Sequence, residues 1–488
     1  MATFLIGLAI LVFGGFAYGA YIDRLFGPDD RKTPAITKND GVDFVPMSKW
    51  KNALIQLLNI AGTGPILGPI QGILFGPIAF ITIPLGCVLG GSVHDYMSGM
   101  ICLRENGDQM PSLVKTFMGK KIFQFYNIFL SLLMLLVGAV FIYTPGDLAV
   151  TQLLGQKATA DNPTVWIVYG VIFVYYLCAT LFPIDKIIGK IYPLFGAILL
   201  LSAVGVGVGI FTKGYELTNL SASNWMGIHP KGVPFIPIFF VTVACGIVSG
   251  FHSTQSTLIA RSVSSEREGR TTFFNMMLLE GFIAMIWAAA AMGIYNKGIE
   301  ADLIGSPAVI GMVARDLLGN IGGVVAIIGV IVLPITSGDT ALRALRLMLA
   351  DFLNIDQKSP AKRFTLSAVI FAFVAGILVF AKMSSEGFNI LWRYFAWSNQ
   401  TIAVFAFAMI TIYLMKNKKN YLVALLPGMF YMFVISSYIL NAQIGFRLPM
   451  NVSYVAGVVI TGIYAYVTYA HGKKLSSSSD RLSDRTAV

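Results

Sequence analysis

Four ionisable side chains sit inside long apolar runs: His94 and Asp95 side by side, His252, and Glu280. A charge at the centre of a membrane helix costs at least ~2.5–3.5 kcal/mol, so each needs a reason. A carboxyl group in a low-dielectric site can load and release a proton as water access changes. An imidazole, with its ordinary pKa near ~6.5, can do the same near neutral pH. Asp95, Glu280 and His252 are therefore candidates for carrying or tuning a coupling proton. The plainer alternative for the two acids is a clamp that accepts hydrogen bonds from neighbouring helices, and for a lone His a packing role. Two His and two acids can also hold zinc, which makes His94, Asp95, His252 and Glu280 an alternative metal set, although no local spacing enforces it. His229, with Trp225 and Pro230 nearby, reads as a surface residue.

Two further groups bring neutral oxygens and amides into apolar runs. Thr336, Ser337, Asp339 and Thr340 could surround a cation. Arg343 and Arg346 follow Asp339 on one helix face at i+4 and i+7, and read as anchors at a membrane surface. Ser398, Asn399 and Gln400 lie deeper in a run that opens with Trp392, Arg393 and Trp397. The aromatic residues and Arg393 fit an interfacial belt. Asn399 and Gln400 fit either substrate contact or hydrogen bonds between helices.

Two apolar runs are broken by residue type. Gly62-Thr63-Gly64-Pro65 followed by Gly68-Pro69 places three Gly and two Pro within eight residues. Gly weakens a helix, and Pro removes a backbone donor and clashes with the preceding turn. Cys245-Gly246 with Ser249-Gly250-Phe251-His252-Ser253 is the second interruption. Non-helical backbone at membrane depth is tolerated only where protein buries it or it lines a cavity. Half-helix N-termini carry free N–H groups and a positive dipole that attract carboxylates. Gly62, Thr63, Gly64, Ser249, Gly250 and His252 are thus candidate substrate-binding residues. A Gly/Pro kink for close packing is the competing reading.

The elements that must hold these residues are membrane spans. Of 488 residues, 56% are hydrophobic and 12% charged, about half the ~25% charge of a soluble domain. The apolar runs continue for ~20 residues, which fits helices crossing ~30 Å and excludes the alternation of a membrane β-barrel. Thirteen spans are expected, at 2–23, 50–75, 77–103, 121–144, 163–183, 187–212, 234–260, 271–294, 320–345, 364–382, 387–415, 420–442 and 450–470. No Lys or Arg precedes the first run, so it reads as a retained helix rather than a signal peptide. The net charge is +11, and alternating connections put 27 of the 35 Lys and Arg on one side. The positive-inside rule makes that side cytoplasmic, with the N-terminus outside and the C-terminus inside a plasma (inner) membrane. The same asymmetry explains the basic balance without nucleic acid. Four Cys lie in or beside apolar runs with no CxxC spacing, and HExxH, GxSxG and Walker A patterns are missing. No enzyme and no cofactor is expected.

Five spans start with each break. An odd number inverts the second set, giving an inverted repeat with its site at the bilayer midplane. The expected units are 1–49 (first helix and cytoplasmic loop), 50–212 and 234–415 (the repeats), 213–233 (outer loop), 416–471 (two extra helices) and 472–488 (a disordered tail).

Gly27-Pro28-Asp29-Asp30-Arg31-Lys32-Thr33-Pro34-Ala35 and Asn39-Asp40-Gly41-Val42-Asp43-Phe44-Val45-Pro46 strongly resemble the carbon starvation protein A (CstA) family. So do Gly62-Thr63-Gly64-Pro65 with Gly68-Pro69, Ser249-Gly250-Phe251-His252, and Trp397-Ser398-Asn399-Gln400. The resemblance implies a LeuT-like five-plus-five core with extra helices, one N-terminal and two C-terminal here. It implies nutrient uptake during starvation, of short peptides or, for some members, of pyruvate by proton symport. It also implies a possible sodium site between the first broken helix and Thr336–Thr340. In some proton-coupled members of the wider superfamily an ammonium group replaces that sodium, which singles out Lys190; a snorkelling head beside Lys186 is the plain alternative. The expected function is a secondary active transporter of a small peptide or pyruvate-like anion, driven by protons, with sodium as the alternative ion. An intramembrane metalloenzyme is the rival class. Long members of the family carry Gln where this chain has His94.

Overall fold

The structure, a computed structural model, describes residues 1–41, 43–181, 185–225, 229–356 and 359–486; side chains are not described at 181, 185–193, 351, 360 and 478–486. Among the described residues there is no β-strand, only an isolated bridge between Met47 and Val263. Long apolar runs can meet their backbone hydrogen bonds in a membrane only as helices, and they do so here.

The helices follow in chain order. α1 (Ala2–Phe26) is followed by α2 (Lys49–Ile60) and α3 (Gly64–Phe75), which meet at a 50° bend. α4 (79–104) contains Pro84 and widens into a π-turn at Cys87–Gly91. α5 (Met110–Met118) is short, and α6 (Lys120–Leu153) is long. α7 (Pro163–Leu181) and α8 (Asp185–Thr212) complete the first half. α9 (Phe235–Thr242) and α10 (Gly250–Ala260) flank a 3-10 turn at Ala244–Gly246 and an extended Ser249. α11 (Asn275–Asn296), α12 (Ala308–Phe352), α13 (Pro360–Met383) and α14 (Gly387–Lys416) follow. α15 (Leu422–Asn441) and α16 (Met450–Thr486) end the chain.

Among the described residues ten helices are long and apolar enough to cross a membrane, or eleven if the bent pair α2–α3 counts as one span. The two other segments read as spans, 77–103 and 234–260, are interrupted helices. α12 begins before the expected span: Gly319, at φ 71°, joins a preceding helical stretch from Ala308 to the membrane part. α16 runs to Thr486, although a disordered tail was expected from Gly472. After Gly472 the sequence has neither Gly nor Pro to stop a helix.

Connections gather on two faces. On one, the Met1 ammonium donates to the Leu217 carbonyl at 2.8 Å and Asn296 Nδ2 to the Glu216 carbonyl at 2.8 Å. On the other, the basic face, Lys419 bonds the Phe26 carbonyl, and His471 Nε2 lies 2.9 Å from the Phe117 carbonyl. Met1 and His471 thus lie on opposite faces.

Segments holding the same place in the two halves meet. Gly64 of α3 lies so close to the 3-10 turn that a Cβ there would be 2.3 Å from Cys245 Cβ. α6 packs along α12, and α7 and α13 pack on that pair. This pairing is what an inverted repeat about a pseudo-two-fold axis produces.

Candidate functional site

The two breaks face each other around a cavity of about 20 Å³, room for about one water. Gly62 and Gly64 line it from the first break, and Ser249 and His252 from the second. Phe141 of α6 and Phe395 and Asn399 of α14 close the remaining sides. Five of the eight expected substrate residues therefore meet here. Thr63 is fully buried and its hydroxyl has no hydrogen-bond partner. Gly250 does not line the cavity; a Cβ there would lie 2.4 Å from the Asn399 carbonyl oxygen. Gln400 points elsewhere, donating from Nε2 to the Phe240 carbonyl at 2.6 Å.

Asn399 fastens the second break. Its Oδ1 accepts from Ser249 Oγ at 2.8 Å and from the Phe251 backbone N–H at 3.2 Å. A side-chain oxygen at the start of a helix meets N–H groups that the helix leaves unbonded. The start of α10 is thus held by α14, a contact the sequence spacing did not announce.

His252 joins this cavity to the buried acids. Its Nδ1 lies 3.2 Å from Asp95 Oδ2 and 3.7 Å from Glu280 Oε2. Asp95 Oδ1 lies 2.8 Å from His94 Nδ1. α4, α10 and α11 each contribute, and the four side chains are at most 2% exposed. Among the described residues neither Glu280 oxygen has a hydrogen-bond partner. Asp95 is the member held from both sides, so removing its charge would strand the two imidazoles that lie against it. Chemically, the cluster can change its proton count within one enclosed space. Among the described residues no group of three or more His, Cys, Asp or Glu is arranged to hold a metal ion. The four residues of the alternative metal set, His94, Asp95, His252 and Glu280, are brought together in one buried cluster.

Two of the α12 hydroxyls donate within their own helix. Thr336 Oγ1 donates to the Leu333 carbonyl at 2.8 Å, and Thr340 Oγ1 to the Thr336 carbonyl at 3.3 Å. Asp339 accepts from Tyr175 of α7 at 2.6 Å and from Thr340 at 3.1 Å. Ser337 Oγ is buried without a hydrogen-bond partner. Lys190 lies outside the residues whose side chains are described.

The face opposite the basic one opens into a vestibule of about 390 Å³, lined by residues including Phe75, Tyr143, His229, Phe388 and Arg393. His229 is half-buried there rather than on an open surface, and its ring lies 4.8 Å from Phe75. A chain of aromatic rings runs from the lining of the vestibule to the lining of the central cavity. Tyr143 stacks on Phe388 at 4.9 Å, Phe388 meets Trp392 at 6.2 Å, Trp392 meets Phe395 at 5.5 Å, and Phe395 meets Phe141 at 6.1 Å. In the vestibule wall, Lys382 Nζ bonds both oxygens of Asp147 at 2.8 and 2.9 Å, and Tyr169 donates to Asp147 at 2.5 Å. The sequence placed both charges near span ends, where snorkelling is the ordinary reading, so this pair went unread.

The basic face is closed by a strap. Glu266, 1% exposed, accepts from Arg104 Nε and Nη2 at 3.0 and 2.9 Å and from the Asp29 N–H at 3.1 Å. Thr33 Oγ1 donates to the Val263 carbonyl at 2.7 Å, and the Met47 N–H to the Ser262 carbonyl at 3.0 Å. Asp30 takes both prongs of Arg267 at 2.6 and 2.8 Å. The chain between α1 and α2 thereby spans the ends of α4 and α10.

Comparison with known proteins agrees with this architecture. The sequence pattern of the family described as carbon starvation protein CstA matches residues 1–169, 142–321 and 308–438. An uncharacterized membrane protein of Haemophilus influenzae is 41% identical over 341 residues, 61% of this chain and 92% of its own. The peptide transporter CstA of Escherichia coli is 24% identical, with 84% of this chain and 76% of its own covered. The pyruvate/proton symporter BtsT of the same organism is 26% identical over 59% of this chain and 48% of its own. Among solved structures, a manganese transporter of Eremococcus coleocola superposes with a TM-score of 0.57, covering 89% of this chain and 94% of that one. At 10% identity that likeness concerns the fold alone.

Proposed function

The chain belongs to the carbon starvation protein CstA family, and from that premise we propose that it is a proton-driven secondary transporter importing a short peptide or a pyruvate-like carboxylate. One observation carries the reading. His252 both lines the cavity between the breaks and lies within 4 Å of Asp95 and Glu280. A substrate arriving at the cavity meets the group that shares protons with the two acids. Binding and protonation then bias each other, and that coupling is what symport requires. The relatives named as a peptide transporter and a pyruvate/proton symporter support the substrate classes. Protons are favoured over sodium by the two buried acids beside His252 and by the relative named as a pyruvate/proton symporter; the Thr336, Ser337 and Thr340 oxygens keep lone pairs a cation can use, so sodium stays the alternative ion.

The basic face is assigned to the cytoplasm by the positive-inside rule. The vestibule then faces outward, the strap closes the inner side, and the aromatic chain lies on the inward path. Transport is the alternation of these two closures around the breaks.

The test is uptake of labelled pyruvate, dialanine and trialanine into proteoliposomes holding the purified protein. The reading expects saturable accumulation of at least one probe under an inward proton gradient, collapsing with a protonophore. Uptake that never exceeds equilibration under any imposed gradient contradicts it.

A further inference from the structure

We propose that the vestibule is itself a binding site, an outer station for the substrate's carboxylate, with Arg393 as the group that receives it. This rests on the transporter reading above and adds a second site to it.

Space gives the first argument. The central cavity has a volume of about 20 Å³ and the vestibule about 390 Å³. The aromatic chain from Tyr143 to Phe141 runs from one to the other. Of these two spaces, only the vestibule has room for an organic solute in this conformation.

Charge gives the second. The other charged side chains of the lining are engaged. Asp147 is tied to Lys382, Lys231 to Asp302 at 2.8 Å, and Glu386 to Asn389 at 2.9 Å. Among the described residues Arg393, half-buried in the wall, is the lining cation with no hydrogen bond or ion pair. A guanidinium offers a planar fork that matches a carboxylate through two parallel hydrogen bonds.

His229 supplies the third. Its Nδ1 accepts from the Lys231 N–H at 3.1 Å, which assigns the ring proton to Nε2. Burial, then the charges of Arg393 and Lys231, push its pKa down to about 4, so the ring is a neutral donor at physiological pH. The vestibule thus combines a fixed cation, a neutral N–H donor and the apolar rings of Phe75 and Phe388. That set suits a small organic acid or the C-terminus of a short peptide.

The experiment measures initial uptake rates of labelled pyruvate and dialanine in proteoliposomes. It compares the wild type, Arg393→Gln, Arg393→Lys, and Arg393→Cys in a Cys178→Ser background. After reconstitution, the Cys variant is treated from outside with a cationic or an anionic methanethiosulfonate. Arg393→Gln should raise the KM of the transported probe about tenfold or more while the maximal rate changes less than about twofold. Arg393→Lys and the cationic reagent should recover most of the lost affinity, and the anionic reagent should not. An unchanged KM in Arg393→Gln, or equal recovery with both reagents, overturns the station. Should Arg393→Gln fail to fold, the modified Cys variant alone decides. A wild type that accumulates neither probe under any gradient overturns the transporter reading, and the station with it.

Discussion

At the scale of single residues, Asp95 and Glu280 share a cluster but not a role. Asp95 has its oxygens against His94 and His252 at 2.8 and 3.2 Å. Glu280 lies 3.7 Å from His252 and, among the described residues, makes no hydrogen bond. Asp95→Asn should therefore destabilise the fold, by ~3–5 kcal/mol if the ionic pairing is lost outright. Glu280→Gln keeps the size of its side chain and removes no hydrogen bond, so its melting temperature should stay near the wild type. Differential scanning fluorimetry of the two purified variants checks this contrast. His229 gives a pH prediction outside the spans. Its folded pKa, pushed down to about 4 by burial, lies below the unfolded value near ~6.5. The unfolded chain then binds more protons between these values, so this residue contributes stability that is full above pH ~6.5 and declines as pH falls toward 4. His229→Phe, which keeps the ring against Phe75, should flatten the acid side of the stability profile. The ionisable groups were readable from the sequence because a buried charge is conspicuous in an apolar run. Their distances were not, because α4, α10 and α11 are brought together only by the fold.

At the scale of elements, the breaks and their packing explain why two glycines that look alike in sequence differ. A Cβ at Gly62 would sit 3.3 Å from the ring of Phe141, a side chain that borders the cavity and need shift only by tenths of an ångström. A Cβ at Gly250 would meet the Asn399 backbone, which has no such freedom. Gly62→Val should fold normally and lose uptake, because it fills the cavity. Gly250→Ala should lower the melting temperature, because α10 must move away from α14. Uptake and thermal unfolding of the two variants check the pair. The strap gives a second case. Glu266→Gln weakens the hold on Arg104 and leaves the membrane helices intact. It should open the basic face more often, read as faster labelling of a Cys introduced at Ser262. Both breaks were legible because Gly and Pro interrupt apolar runs. The strap was not, since hydrogen bonds such as Thr33 with Val263 and Asp29 with Glu266 join residues more than 200 positions apart. Nor was the Asn399 bond to Ser249, which joins two helices 150 residues apart.

At the scale of the whole molecule, composition established the all-helical membrane class, and charge asymmetry established two unlike faces. Hydropathy proved less able to count interrupted helices: α4 and the α9–α10 pair read as spans in sequence, yet neither meets the test of a long apolar helix. The ends of the chain provide the check. Met1 lies with the 213–233 loop and His471 with the basic face, so Cys at position 2 and Cys at position 477 should label from opposite sides of the membrane. Labelling from one side would contradict the odd total of thirteen crossings expected from the sequence. The account as a whole depends on the cavity and the acids acting as one device. The most direct measurement is accumulation of the transported probe in proteoliposomes with choline replacing all sodium, at a fixed inward proton gradient, for the wild type and Glu280→Gln. The account predicts that the wild type concentrates the probe, and that Glu280→Gln only equilibrates it while still exchanging labelled for unlabelled substrate. Accumulation that needs sodium, or undiminished proton-driven accumulation in Glu280→Gln, contradicts it.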